Sequence, residues 1–286
     1  MNKIKIITDS TADLTRELYD RYDISVVPLQ IICDDVSYTD GEVTQEEIFS
    51  WADRTGRTPK TAVSGLELSV SAIKPHLDKG AEIIFFGISE TMSASCNLMR
   101  IAAKELECED RVHVINSQNL SCGIGLLIAA AAELAGGGMP AREIAGVVEG
   151  LRDKVRASFV IETLTYLHRG GRCSALTAII ANQFNLKPKI ILSGGKMSVG
   201  KRYRGSLDAV VRKYTEDLLP EMKNADTRRI FVVDTFLPDY IYLRDEVVRH
   251  IEWLGIFDEI CVCKAGGVIS SHCGPNTLGI MLLQKQ

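Results

Sequence analysis

Short runs of β-branched and apolar residues alternate with amphipathic stretches over the first half of the chain, and that alternation leaves few folds open. A strand followed by a helix of matching length is the pattern of crossover units feeding a parallel sheet. KIKIIT, from Lys3, reads as the first strand, and Asp9, Ser10 and Thr11 supply N-caps for a helix whose Leu14, Leu18 and Tyr22 share one face. A second extended run covers Ser25 to Cys33 and leads into a polar turn containing Tyr38, Asp40 and Gly41. Thr44 and Glu47 then form a capping-box start to a helix, and another helix covers Leu66 to Leu77. Glu82 to Gly87 is a near-continuous apolar strand, Ile88 to Ser95 a hydroxyl-rich loop, and Ala94 to Leu106 a helix. Val112 to Ile115, Asn116 to Asn119 and Ser121 to Leu134 repeat the strand, loop and helix.

GGGMP, from Gly136 to Pro140, breaks the rhythm, and a helix from Ala141 to Val155 carries the chain into a second region. There Phe159 to Ile161, Lys189 to Leu192, Met197 to Tyr203, Ile230 to Asp234 and Ile260 to Lys264 read as strands, with Gly194-Gly195 as a hairpin turn. The expected architecture is α/β in two domains: residues 1–150 with a mainly parallel sheet, and residues 151–286 with a mixed one.

A length of 286 residues accommodates two ordinary cores, and 46% hydrophobic with 24% charged residues is the balance of a folded globular chain. A net charge of -4 gives no global attraction to nucleic acid or to an anionic membrane, so nucleic acid is not an expected partner. The N-terminus lacks a secretory pattern, which points to the cytoplasm. The most apolar stretch, Ile124 to Ala132, is interrupted by Glu133, well short of the roughly 18 to 20 residues of a membrane span. Eight cysteines in such a chain read as reduced thiols. Cys261 and Cys263 share a strand face, but no second pair completes a zinc set, so no metal is expected.

Open α/β sheets bind ligands outside the carboxyl ends of their strands, at helix N-termini, where N–H groups and the dipole favour an anion. Hydroxyls crowd those loops: Ser10 and Thr11 after the first strand, Ser89, Thr91, Ser93 and Ser95 after another, and Ser117 after a third. Each is also an ordinary N-cap residue, so a purely structural role is open to all of them. Gly170 to Ser174 (GGRCS) adds Arg172, a planar fork for carboxylate or phosphate, or else a surface arginine beyond a helix C-cap. Arg202 and Arg204 share a strand face, and His272 lies between two serines and a Gly-Pro turn. The other histidines, at 76, 113, 168 and 250, fit ordinary helix and strand patterns.

Phosphate-loop chemistry lacks its motif: Gly194, Gly195 and Lys196 are followed by Met197, without the earlier glycine or the following hydroxyl. Gly123 and Gly125 are an incomplete dinucleotide fingerprint, and Ser89 has no nucleophile elbow around it. No catalytic residue is assigned and no cofactor is expected.

ITDSTADL at the N-terminus, VPL at 27–29, YTDG at 38–41, VINSQNLSCGIG at 114–125, ETLTYLHRGGRCSAL at 162–176, NLKPKI and SSHCGPNTLG at 270–279 occur in one order along nearly the whole chain. Together they resemble the DegV family, which includes the fatty-acid-binding subunits of bacterial fatty acid kinase. The resemblance implies a long-chain fatty acid held in an interior tunnel, with its carboxylate on Thr61 and Ser93 and with His272, Arg172 and Arg204 near the head group. It also implies a carrier that presents the acid to a separate ATP-dependent kinase and carries acyl phosphate. Transient contact with a membrane surface is compatible with that role. The chain departs from the family in reading Thr61-Ala62-Val63-Ser64 for Thr-Ser-Gln-Pro, Ser93-Ala94-Ser95 for Ser-Gly-Thr, and Asn276 for a glycine. Two other readings stay open: a stand-alone hydrolase using Ser93 and His272, and a carrier of a different amphipathic anion.

Overall fold

The computed structural model describes residues 3–172, 186–235 and 237–285. The N-terminal part runs β1 (Ile4–Asp9), a 3-10 turn (Ser10–Ala12), α1 (Arg16–Arg21), β2 (Ser25–Val27), β3 (Gln30–Cys33), β4 (Val36–Thr39), α2 (Gln45–Thr55), β5 (Lys60–Ala62) and α3 (Leu66–Leu77). It continues through β6 (Glu82–Gly87), α4 (Ser95–Glu105), β7 (Val112–Asn116), α5 (Cys122–Gly136) and α6 (Ala141–Leu151). Then come β8 (Val155–Val160), α7 (Thr165–Gly170), β9 (Leu186–Ser193), β10 (Lys196–Arg204), α8 (Leu207–Asp217), α9 (Leu219–Lys223), β11 (Ala225–Asp234), α10 (Ile241–Leu254), β12 (Ile260–Lys264), α11 (Gly267–Cys273) and β13 (Leu278–Gln284).

The expected parallel sheet forms in the order β2-β1-β6-β7, with every pairing parallel. A second sheet is mixed, in the order β10-β9-β8-β13-β11-β12, with β11 and β12 its parallel pair. This is the α/β architecture of a parallel and a mixed sheet that the strand rhythm implies. No helix of the described residues is long and apolar enough to cross a membrane.

Several local expectations change. Ser25 to Cys33 is two strands in different sheets, because Pro28 has no N–H to continue the ladder. The polar turn at 38–41 begins as β4, which with β3 and β5 makes a small antiparallel sheet. The helix from Ala141 stops at Leu151, and the strand expected at Phe159 starts four residues earlier, at Val155. Neither α11 nor β13 was marked by the sequence pattern, yet β13 lies inside the mixed sheet with Leu278 to Leu283 buried on both faces. A strand buried on both faces loses the alternation that announces a half-buried one. Cys173 and Ser174 lie outside the described residues.

The apolar stretch at Ile124 to Ala132 becomes α5, which is buried all round from Cys122 to Ala131. It packs on β1 and β6 of the parallel sheet and on β8 and β13 of the mixed one. One hydrophobic cluster consequently runs from Ile6 and Phe86 through Leu127 to Phe159 and Met281. An all-round apolar helix of this length belongs in a protein core. The other face of the mixed sheet is covered by α8 and α10 around Tyr214, Phe231's neighbours Ile230 and Val232, and Val247.

Tyr214 is fully buried, donates its O–H to the Ser158 carbonyl at 2.8 Å and accepts from the Ile280 N–H at 3.1 Å. It thereby ties α8 to β8 and β13. Tyr214→Phe should lower stability by about 1 to 3 kcal/mol, because an N–H and a carbonyl lose their partner in the core. Urea unfolding followed by circular dichroism would show a lower midpoint with an unchanged slope.

Candidate functional site

The carboxyl end of the parallel sheet is where a ligand would be sought, at the point between β1 and β6 where the strand order reverses. Asp9 fills it. Its Oδ2 accepts the Ile88 N–H at 2.9 Å, and its Oδ1 accepts from Thr11 Oγ1 at 2.5 Å and from the Thr11 N–H at 3.1 Å. The protein's own carboxylate therefore uses the donors that would hold an anion. Burial raises its pKa, against hydrogen bonds from Thr11, Ile88 and Ser95 that lower it.

This accounts for three of the hydroxyls singled out from the sequence. Thr11 and Ser95 serve Asp9, and Ser117 accepts the Asn119 N–H at 3.1 Å within its own loop. Ser10 is used one step away: its Oγ accepts from the Leu29 N–H at 3.1 Å and also bonds Asp40. None of the four lines the apolar cavity next to it.

That cavity, of about 310 Å³, lies beside the switch point. Its walls come from β5, the loop after β6, α7, β10 and α11, and they are mostly apolar, with Leu29, Ile88, Met92, Leu120, Leu167 and Ile269 prominent. Four sequence candidates meet on it: Thr61, Ser93, Arg172 and His272. Thr61 Oγ1 and His272 Nε2 are 2.8 Å apart, bringing together residues 211 positions distant in the chain. Ser93 Oγ accepts from the Ser95 N–H at 3.3 Å, which leaves its own O–H to donate elsewhere. Arg172 donates from Nη1 to the Gly170 carbonyl at 2.8 Å at the exposed edge of the cavity. Arg204 is not part of this group: it ends β10, opposite Leu186, and is exposed.

Burial, with the Arg172 charge, pushes the His272 pKa down to about 4, so at neutral pH the ring is uncharged. Its Nδ1 is buried and has no partner among the described residues. A neutral imidazole donates one hydrogen bond and accepts another but carries no charge, so the formal positive charge at the cavity belongs to Arg172.

His272 is delivered by α11, and α11 is held at its other end by two buried carboxyls. Asp13 Oδ1 accepts the Gly266 N–H at 2.7 Å, and Asp40 Oδ1 accepts the Gly267 N–H at 2.9 Å. Ser121 Oγ donates to Asp13 Oδ2 at 2.5 Å, and Gln45 Nε2 donates to Ser270 Oγ at 2.9 Å. The fit is close: a Cβ on Gly267 would stand 2.5 Å from Ile31 Cδ1 and 3.0 Å from Asp40 Oδ1. Neither Asp13 nor the apolar lining residues Met92, Leu120 and Met197 carry a site signal in the sequence.

Burial pushes the Asp13 carboxyl up to about 8, partly offset by the bonds from Ser121 and Gly266, with Asp40 and Asp9 adding repulsion. A raised carboxyl pKa means that the folded state binds the proton more tightly than the unfolded one. Its contribution to stability is complete below the ordinary carboxyl value near about 4 and is lost as pH rises through about 8. Asp13→Asn should flatten that decline, which is measured as the difference between wild-type and variant denaturation midpoints from pH 4 to pH 9.

The family model described as "Uncharacterised protein, DegV family" matches residues 3–285. A DegV domain-containing protein of Clostridium perfringens is 30% identical over the full length of both chains. Among solved structures, a DegV family protein from Thermus thermophilus with described fatty-acid binding is 29% identical, with a TM-score of 0.85 over 99% of this chain and 100% of that one. The fatty acid binding DegV family protein of Streptococcus agalactiae, at 20% identity, has the same fold, with a TM-score of 0.86 and full coverage of both chains. With sequence and fold matched from end to end, this chain belongs to the DegV family.

Proposed function

We propose that this chain is a fatty-acid carrier: it holds one long-chain fatty acid in the cavity and presents the carboxylate to a separate ATP-dependent kinase, carrying the acyl phosphate away. The observation that carries the reading is an apolar cavity of about 310 Å³ whose polar groups converge from separate elements, with Thr61 and His272 in contact and Ser93 and Arg172 on the same walls. Mostly apolar pockets of about 300 to 1,000 Å³ with a few placed polar groups are the usual form of a small-ligand site. The fatty-acid binding described for the Thermus thermophilus relative supports the same ligand class. We take the division between the two domains to fall near residue 150, where α6 ends and before β8 begins.

In this reading the acyl tail supplies affinity, at about 0.8 kcal/mol per buried methylene before the cost of association. Thr61 and Ser93 orient the head, each donating to the carboxylate. His272, neutral and touching Thr61, fixes the direction of the Thr61 hydroxyl. Arg172 sits where the added phosphoryl charge would arise, so it would stabilise that charge more than the starting acid. Arg204, exposed on β10, would act by touching the kinase rather than the lipid.

Native mass spectrometry of protein purified from its host should show a bound long-chain fatty acid; a bound prenyl or aromatic acid would instead establish a different carrier. Thr61→Ala with Ser93→Ala should weaken fatty-acid binding by about 10- to 100-fold per hydrogen bond lost to the charged head, while the matching fatty alcohol loses far less. Equal losses for acid and alcohol would assign both residues to cavity shape alone.

Arg172→Ala should load fatty acid almost normally and lose most acyl-phosphate formation when a cognate kinase and ATP are supplied. Direct titration for loading and a single-turnover phosphorylation assay separate the two steps. Failure to load would place Arg172 in ground-state capture.

A further inference from the structure

The hydroxyl loop after β6 divides its work in a way that its composition does not announce. Ser95 serves Asp9 and Ser93 lines the cavity, whereas Ser89 and Thr91 turn toward the mixed sheet. Ser89 Oγ donates to the Gly195 carbonyl at 2.6 Å, and Thr91 Oγ1 donates to the same carbonyl at 2.5 Å. Gly195 forms the β9–β10 turn with Gly194, at φ 77° and 55° respectively. We propose that Ser89 and Thr91 are positioning residues whose hydroxyls clasp the β9–β10 hairpin onto the loop carrying Ser93, and that this clasp sets how long a lipid stays in the cavity.

The clasp joins two pieces of cavity wall that belong to different sheets. Met92 follows Thr91, Met197 lies two residues past Gly195, and both line the cavity. Ser89 is also the centre of its own loop: its carbonyl accepts the Met92 N–H at 2.8 Å and the Ser93 N–H at 3.2 Å, and its N–H donates to the Asn119 carbonyl at 2.9 Å. The hairpin is thus fastened to the residue on which the Ser93 turn is built. A carbonyl has two acceptor positions, and here two side chains from one loop occupy both.

The turn also leaves no room to slide. A Cβ on Gly195 would lie 2.7 Å from Ser89 Oγ and 3.4 Å from Gln118 Cβ, in a left-handed conformation that side chains seldom adopt. The hairpin therefore has one seat on the loop. Opening it separates the Met92 and Met197 walls without touching the Thr61–His272 pair, so the clasp and that head-group contact are separable.

This inference rests on the lipid-carrier reading, and the experiment keeps the two apart. Load the full chain with cis-parinaric acid, a fluorescent long-chain fatty acid, and measure its release by stopped flow on dilution into excess unlabelled acid. Ser89→Ala with Thr91→Val should release it about tenfold faster, the effect of losing roughly one to two net hydrogen bonds, with the ratio of acid to alcohol affinity preserved. Gly195→Ala, which pushes the same seat from the other side, should also speed release. Thr91→Val alone, at an exposed position, guards against a folding defect in the double variant. Hydrogen exchange at residues 194–197 should quicken in all three with or without lipid. Unchanged release in folded variants, or a collapse of the acid-to-alcohol ratio, would overturn the dwell-time assignment. Wild-type protein that binds neither acid nor alcohol would sink the carrier reading, while the exchange rates would still report whether the clasp holds the hairpin.

Discussion

Two buried carboxyls on the N-terminal turn of one short helix hold the arrangement together. Asp13 and Asp40 accept the first N–H groups of α11 from Gly266 and Gly267, groups that a helix cannot satisfy for itself. The helix comes late in the chain and packs against α2, α7, β3 and β5, elements that otherwise belong to earlier parts of the sequence. Its far end brings His272 to Thr61. Removing charge from water for this purpose is expensive, and the raised pKa values of Asp13 and Asp40 record that cost. The donors around each carboxyl offset part of it. Because the contact needs Gly267 to lie against Ile31 and Ile48, the sequence around it has little freedom.

The same economy of acceptors explains why the cavity is not at the sheet's switch point. In many open α/β sheets the free N–H groups there meet an anionic ligand. Here Asp9 meets the Ile88 N–H, and Thr11 and Ser95 in turn bond Asp9. An internal carboxyl group makes the crevice part of the core. The cavity lies in the neighbouring space, where the small antiparallel sheet, α7, α11 and the β9–β10 hairpin supply apolar walls. One fully apolar helix, α5, lies between the two large sheets and lets a single core span them.

At the outer rim a different interaction fastens the parts. Glu133 at the end of α5 accepts from Arg228 Nη1 at 2.6 Å and Arg229 Nη1 at 2.9 Å, while Glu259 pairs with Arg21 and Arg229. Single exposed ion pairs contribute little, but Arg229 is mostly buried and touches Glu133, Glu259 and Tyr22 together. This network joins the end of α1, α5, β11 and the turn before β12, none of whose network residues lines the cavity.

The linear sequence determined the alternating strands and helices of the parallel sheet, the Thr44–Glu47 capping box, the Gly194-Gly195 hairpin and the apolar character of α5, because each depends on neighbours a few residues away. It also offered Thr61, Ser93, Arg172 and His272 through a family resemblance, and the fold brings all four to one cavity. It could not sort the hydroxyls: Ser10, Thr11, Ser95 and Ser117 carry the same chemistry as Ser93, and only their distances to Asp9, Asp40 and Asn119 decide that they are spent inside the protein. Nor could it mark β13, buried on both faces, or α11, too short to show a helical period. Those decisions belong to tertiary structure because hydrogen bonds and burial act through space, and the pairs that settle them, such as Asp13 with Gly266 and Thr61 with His272, stand more than two hundred residues apart.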